Sequence, residues 1–408
     1  MSDFPSDTDT RNGVRIAVIG NGIAGASAAR RLALTMPDDV RHLAIHEIGR
    51  GPGGRAGTRQ SRAIPELRIN HGAPCADITT EAGRALLPSL GDAVRPYAGQ
   101  TGVLDGRTGA FRPDAVHDET ALITAQSGEM ADLAGSLLQT EAGDRLRPIA
   151  THYSSMVRGL ARGEAESDEW ILADKTGEEL GRADWLIVAG SGVAHPRWSD
   201  TFGGMPPLVE AAARLGDDRL DDALATIAQQ TAAPMLSMLF YCTGDQAMEW
   251  RSLGFNDASV RPHDVLSRIS VQPVGPDGCG VVLHSTSDHA RSNAGVHGTS
   301  SSAARVGGAA SNADREAAMI EELLAAAHEI PGLPVIDRPS LPYGPLLHRW
   351  GNAFPQGEPL PAALSVCPDA RVAFCGDYVA TDARMGSCES ALLSGVNVGD
   401  AIRACRSG

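Results

Sequence analysis

Three glycines in the run RIAVIGNGIAG, at positions 20, 22 and 25, have the spacing that lets a strand hand a helix N-terminus to a pyrophosphate. Gly20 permits the tight turn, Gly22 lets backbone approach the phosphates, and Gly25 lets helix and strand pack closely. Ile23 and Ala24 open the helix, whose unpaired N–H groups and positive dipole end favour an anion. Glu47, near the end of HLAIHEI, stands where a carboxylate accepts ribose hydroxyls. The segment GRGPGGRAGTR follows at once, with Gly54, Arg55 and Ala56 at its centre. It offers a second close backbone approach and a guanidinium matched to phosphate charge. A dehydrogenase that binds only a nicotinamide dinucleotide has no need of it. A long prosthetic group crossing the domain does.

Near the other end of the chain, RVAFC leads into Gly376-Asp377-Tyr378 and then a helix opened by Ser387 and Cys388. The MGS turn ahead of that helix again aims free N–H groups outward. Between these ends, His348 and Trp350 in HRWGN are the best candidates for a substrate pocket. Trp350 offers an aromatic wall for a planar substrate, and His348 a hydrogen bond or a proton acceptor. His284, in the apolar run VVLHS, reads equally as a pocket histidine or as a satisfied core one. Tyr241 and Tyr343 read as core.

The elements that must position these groups follow from periodicity. Ile16–Ile19 and His42–Ile48 read as strands, with a helix over Ala24–Met36 between them. Residues 152–192 alternate around a turn at Lys175-Thr176-Gly177, a β-meander closing on the buried strand Trp185–Ala189. Helices are expected over Glu129–Leu138, Leu220–Gln230, Asp314–His328 and Ser387–Ala404. Strands are expected over Met235–Cys242, Gly280–Ser285 and Arg371–Cys375. The chain opens and closes on nucleotide-binding units around a dissimilar middle. This predicts a discontinuous dinucleotide domain (13–80, 145–195 and 365–408) and a substrate domain of mixed sheet and helices (81–144 and 196–364). Residues 1–12 and 291–312 are small, polar and read as flexible.

Composition narrows the function. The 408 residues are 42% hydrophobic and 21% charged, which suits a globular enzyme of two domains. A net charge of -15 argues against nucleic acid and anionic membrane surfaces as partners. The seven cysteines are scattered with no CxxC, so neither a disulfide framework nor a metal site is expected. No run reaches the ~18 apolar residues that span a bilayer, and the acidic N-terminus has no apolar signal core. A soluble cytoplasmic protein is the expectation, its oligomeric state open.

Taken together, GNGIAG with Glu47, GPGGRAGTR with INHGA (69–73), LLHRWGNAFP (346–355) and AFCGDYVATDARMGSCESALLSG (373–395) resemble the FAD-dependent amine oxidase superfamily, and within it the renalase-like bacterial flavoproteins. The resemblance implies an α/β fold with an interrupted Rossmann-like FAD domain. It puts the FAD pyrophosphate on the first turn, the adenosine ribose on Glu47 and the phosphates on Arg55. Gly72 and Ala73 would line the isoalloxazine, Val157 the adenine side, Asp377 the ribityl chain, and Ser387 with Cys388 the flavin pyrimidine. It further implies oxidation of a C–N bond in a small molecule (an amine, an amino-acid-derived compound or a dihydropyridine) by hydride transfer from a C–H bond beside nitrogen, with molecular oxygen as acceptor. Noncovalent FAD is expected, because HRWGNAFP carries no cysteine where some relatives attach the flavin. A desaturase or dehydrogenase, or a flavin-binding redox protein without turnover, are the alternatives.

Three departures from the family pattern stand out. Asn70 replaces the usual acid before His-Gly-Ala, Cys388 replaces a small residue, and STSDHA follows His284 without the usual tryptophan. Lys175, the single lysine, lies at a hairpin tip, so the lysine many relatives place near the flavin has no counterpart.

Overall fold

The computed structural model describes residues 13–115, 121–139, 149–163, 168–296 and 312–407. Its first sheet has six strands, in the order 150–153, 40–47, 14–19, 185–189, 372–375 and 366–367. We call Val14–Ile19 β1, Ile23–Thr35 α1 and Val40–Glu47 β2. The neighbours of β1 are β2 and Trp185–Ala189, both parallel to it. Trp185–Ala189 and Val372–Cys375 are apolar on both faces, as strands of a sheet covered twice must be. One cover is α1 with the C-terminal helix Cys388–Ser407, through Ala28, Leu32, Val398 and Ile402. The other contains the antiparallel meander 159–183 and the helices between 197 and 229. The meander turns where its sequence indicates, with Lys175 exposed at the tip, but it does not close on Trp185–Ala189: its three strands form a sheet of their own, while 150–153 and 185–189 pair within the six-stranded sheet.

The second sheet has seven strands, in the order 343–356, 231–243, 278–285, 266–274, 257–260, 101–104 and 111–113. Period-two alternation splits its faces. Leu236, Met238, Phe240, Val281, Leu283, Ile269 and Leu347 point into a core shared with the helices 244–251 and 313–328. The opposite face carries the functional candidates. Asn312 caps the helix Ala313–His328 by accepting from the Arg315 amide at 3.1 Å.

Packing divides the predicted substrate segment. Residues 81–93 and 121–138 share a core with Ile23 and Ala26 of α1 and with Leu392, and so belong with the nucleotide-binding half. Of residues 81–138, only 101–113 joins the large sheet. The helices between 197 and 229 likewise cover the six-stranded sheet rather than the seven-stranded one. Their apolar stripes fit its second face, a demand that the sequence of each helix does not reveal. Arg291 and Ser292, expected to be flexible, close the helix Ser287–Ser292, which Thr286 caps and the buried Ala290 anchors. Residues 297–311 and 1–12 lie outside the described residues.

Candidate functional site

The first turn is built as the glycine spacing requires. Gly20 has φ of 109°, and its amide donates to the His46 carbonyl at 2.8 Å, tying β1 to β2. A Cβ on Gly25 would lie 2.2 Å from the Gly20 oxygen and 2.9 Å from Ala189 Cβ, so only glycine allows α1 this close to the sheet. A Cβ on Gly22 would meet nothing within 4 Å. The N-terminus of α1 has no side-chain cap and no acid in its first turn. Beside it the buried Asn21 Oδ1 has no hydrogen-bond partner. Open space, uncapped amides and an unsatisfied polar atom fit a dinucleotide phosphate at this turn.

Glu47 ends β2 almost wholly buried, accepting from the Asn21 amide at 2.7 Å and the Gly49 amide at 2.6 Å. A carboxylate has more lone pairs than these two bonds use, so ribose hydroxyls can still be received. The second glycine segment lies directly on the first, with Gly53 bridged to Gly22 and its amide donating to Asn21 O at 2.9 Å. Gly54 has φ of 54°. Ala56 is buried in the adjoining core.

Arg55 reaches across to the GD motif. Its guanidinium donates to both Asp377 oxygens, at 2.6 and 2.5 Å, and to the Ala353 carbonyl at 2.9 Å. Gly376, with φ of 149°, donates its amide to Ser394 Oγ. Ser387 caps the C-terminal helix by accepting from the Ser390 amide at 3.0 Å. Cys388 opens that helix, and burial pushes its thiol up to about 11, so it is a protonated thiol at neutral pH. Val157 behaves differently. The whole residue is 2% exposed, packed in the core with Leu160, Trp170 and Val188.

Gly72 and Ala73 fold against the Arg55 backbone. The Ala73 amide donates to Arg55 O at 3.2 Å, and a Cβ on Gly72 would lie 1.9 Å from that same oxygen. Asn70 makes the hairpin's other contacts. Its Oδ1 accepts from Thr58 Oγ1 and the Met130 amide, and its Nδ2 donates to Gly128 O. Its backbone pairs with the Gln272 amide group through two 2.8 Å bonds. An ionised acid accepts but cannot donate, so asparagine is the residue that satisfies both sides here. On this side lies a cavity of about 430 Å³, lined also by Pro74, Tyr97 and Asn256, and the rings described next are not part of its wall.

His71, between Asn70 and Gly72, joins the loop to the large sheet. Its ring lies 5.4 Å from that of Trp350 in a stacked arrangement and 5.3 Å edge-on from that of His348. The rings of His348 and Trp350 are themselves 4.2 Å apart. Strand register supplies the frame. Arg268 is opposite His284, His284 opposite Ser237, and Ser237 opposite His348, a continuous row across four strands. Ser237 Oγ and His284 Nε2 both donate to the His71 carbonyl, at 2.7 and 3.1 Å. His284 thus positions the His71 loop. Arg268 is held bidentately by the buried Asp257.

All three imidazoles are neutral at pH 7. Burial, then the nearby His348 and Arg59, lower His71 to about 3. Burial and Arg268 lower His284 to about 4, and burial and Arg59 lower His348 to about 4. His71 Nδ1 and Trp350 Nε1 are buried without hydrogen-bond partners. Tyr241 is core, whereas Tyr343 OH accepts from Arg59 Nε at 2.7 Å. His71 and Arg59 were not among the residues singled out from sequence. Their only signal was membership of the segments around INHGA and GGRAGTR.

Comparison with known proteins agrees with this frame. Residues 18–86 match the NAD(P)-binding Rossmann-like domain. The whole chain shares its fold with putrescine oxidase bound to putrescine, at 13% identity over 96% of this chain and 99% of that one, with a TM-score of 0.55. It is similar to cyclohexylamine oxidase from Brevibacterium oxydans at 13% identity over 97% and 100%, with a TM-score of 0.57. A flavin-dependent halogenase matches 97% of this chain but 59% of its own, at 15% identity and a TM-score of 0.51. At these identities the fold is what is shared.

Proposed function

We propose that this chain is an FAD-dependent oxidoreductase that oxidises a carbon–nitrogen bond of a small molecule. The observation that carries the reading is the contact of His71 with Trp350 and His348, which closes the large sheet over the loop leading out of the second glycine segment. The whole-length similarity in fold to two amine oxidases supports it.

FAD, when bound, supplies the acceptor for a hydride. The chain's own residues bind, orient and exclude water. Gly20, Gly22 and the N-terminus of α1 would hold the pyrophosphate, Glu47 the adenosine ribose, and Arg55 with Asp377 the middle of the cofactor. Gly72 and Ala73 would back the ring system, with Ser387 and Cys388 at its far edge. Trp350 and His71 form a wall for a planar substrate, and neutral His348 can accept a hydrogen bond from an amine nitrogen. A neutral amine is the form that gives up hydride readily, and an unprotonated imidazole leaves it uncharged. Noncovalent attachment, molecular oxygen as acceptor and a cytoplasmic setting complete the proposal.

The test is anaerobic mixing of purified yellow protein with candidate amines and dihydronicotinamides while flavin absorbance is followed. Bleaching by an amine, with hydrogen peroxide formed on admitting air, is the expected result. A protein that stays colourless when FAD is added overturns the reading. One that binds FAD but is bleached by nothing is a flavin-binding protein without this activity.

A further inference from the structure

Arg59 differs from Arg55 and Arg268. Arg55 is paired with Asp377 and Arg268 with Asp257, both bidentately. Arg59 donates its Nε to Tyr343 OH and lies 6.0 Å from that ring, yet among the described residues no carboxylate is within ion-pair distance of it. Its positive charge bears on both His71 and His348. It is half-buried, on the strand Thr58–Gln60 that pairs with the strand leading into His71.

A half-buried guanidinium with no anion beside it keeps N–H donors to spare, and their fork matches a carboxylate. Near it stand Tyr343 OH and the uncharged imidazoles of His71 and His348, whose rings adjoin Trp350 and its unpartnered Nε1. The site carboxylates Asp257 and Asp377 are already neutralised by arginine and so are poor partners for a cationic chain. We propose that the substrate carries an anionic oxygen group, a carboxylate, held by Arg59 and Tyr343 while its amine nitrogen lies toward His348. This rests on the amine-oxidising reading above and gives it a substrate class. An amino acid or an N-substituted amino acid fits; a diamine such as putrescine does not.

The test is titration of the FAD-loaded protein with benzoate, benzamide and benzylamine, read by flavin difference absorbance and by tryptophan fluorescence. Benzoate is expected to bind about tenfold or more tighter than either of the others, the worth of a charge-assisted hydrogen bond. Arg59→Gln should weaken benzoate by about tenfold or more and leave benzamide nearly unchanged, while Arg59→Lys restores part of the loss. Benzylamine or putrescine binding as tightly as benzoate overturns the proposal, as does unchanged benzoate binding in Arg59→Gln. If Arg59→Gln fails to fold, the comparison of the three probes on the unaltered protein decides. If the protein takes up no FAD, the oxidoreductase reading fails by itself, and benzoate quenching of tryptophan fluorescence still decides the anion site.

Discussion

Arg55 and Asp377 lie 322 positions apart in the chain and are joined by two parallel hydrogen bonds of 2.6 and 2.5 Å. The pair fastens the second glycine segment to the GD motif, bringing the two ends of the chain's proposed cofactor site to one point. Asp377 is 5% exposed and Arg55 39%. Each substitution strands a charge, but the stranded arginine still reaches solvent, whereas the stranded aspartate does not.

Arg55→Ala should therefore destabilise more than Asp377→Ala. Removing one partner of a buried pair costs about 3 kcal/mol, and Asp377→Ala should cost less than that because the stranded Arg55 reaches water. The double variant should recover part of the loss. Chemical denaturation, with flavin content measured on the same samples, checks both points. Equal stability of all three variants and the parent protein would show the pair to be incidental.

Gly22 and Gly25 should respond oppositely to alanine. At Gly22 a methyl group has open space, so Gly22→Ala should fold normally and lose affinity for FAD, because the methyl occupies the pyrophosphate's place. At Gly25 the methyl collides with backbone, so Gly25→Ala should lose about 3 kcal/mol or more of stability. Normal FAD content in Gly22→Ala would move the phosphate site elsewhere. Glu47→Ala belongs with Gly22 in colour, eluting pale, since the turn loses its carboxylate.

Trp350→Ala and His348→Ala should elute yellow and reduce slowly, by about 10–100-fold, the usual effect of losing substrate positioning. His284→Ala acts one step back. Ser237 still holds the His71 carbonyl, so a smaller rate loss is expected, and His284→Gln should restore much of it by donating to the same oxygen. Loss of flavin or fold in Trp350→Ala, with normal reduction after reconstitution, would make that residue core.

Acid should weaken the fold earlier than carboxylates alone explain. His71 at about 3, and His284 and His348 at about 4, remain neutral when folded but take protons near 6.5 when unfolded. The unfolded chain thus binds more protons throughout that interval, and stability falls as pH drops from about 6.5 to 4. Above 6.5 the contribution is fully present. Thermal midpoints across this range check the slope, which should flatten in His71→Asn. Glu389 adds to the acid loss lower down. Burial alone would raise its carboxyl, but bonds from Thr79 and Thr80 hold it below its ordinary value.

The sequence by itself determined the two glycine turns, the hairpin at Lys175-Thr176-Gly177 and the exposure of Lys175. Each depends on spacing within a few residues: φ is positive at Gly20 and Gly54, a strand must precede the turn, and a helix must follow it. Val157 and the segments 81–138 and 197–229 were less legible, because an apolar stripe states that it must be covered without stating by what. The ring cluster was decided by tertiary structure alone. His71 meets Trp350 only because Tyr343–Gln356 pairs with Thr231–Thr243 in a register that puts His348 opposite Ser237. That register depends on burying alternate residues of strands about a hundred positions apart, and no local pattern encodes such an agreement. The same holds for Arg59, which folding brings to Tyr343 and, among the described residues, to no carboxylate.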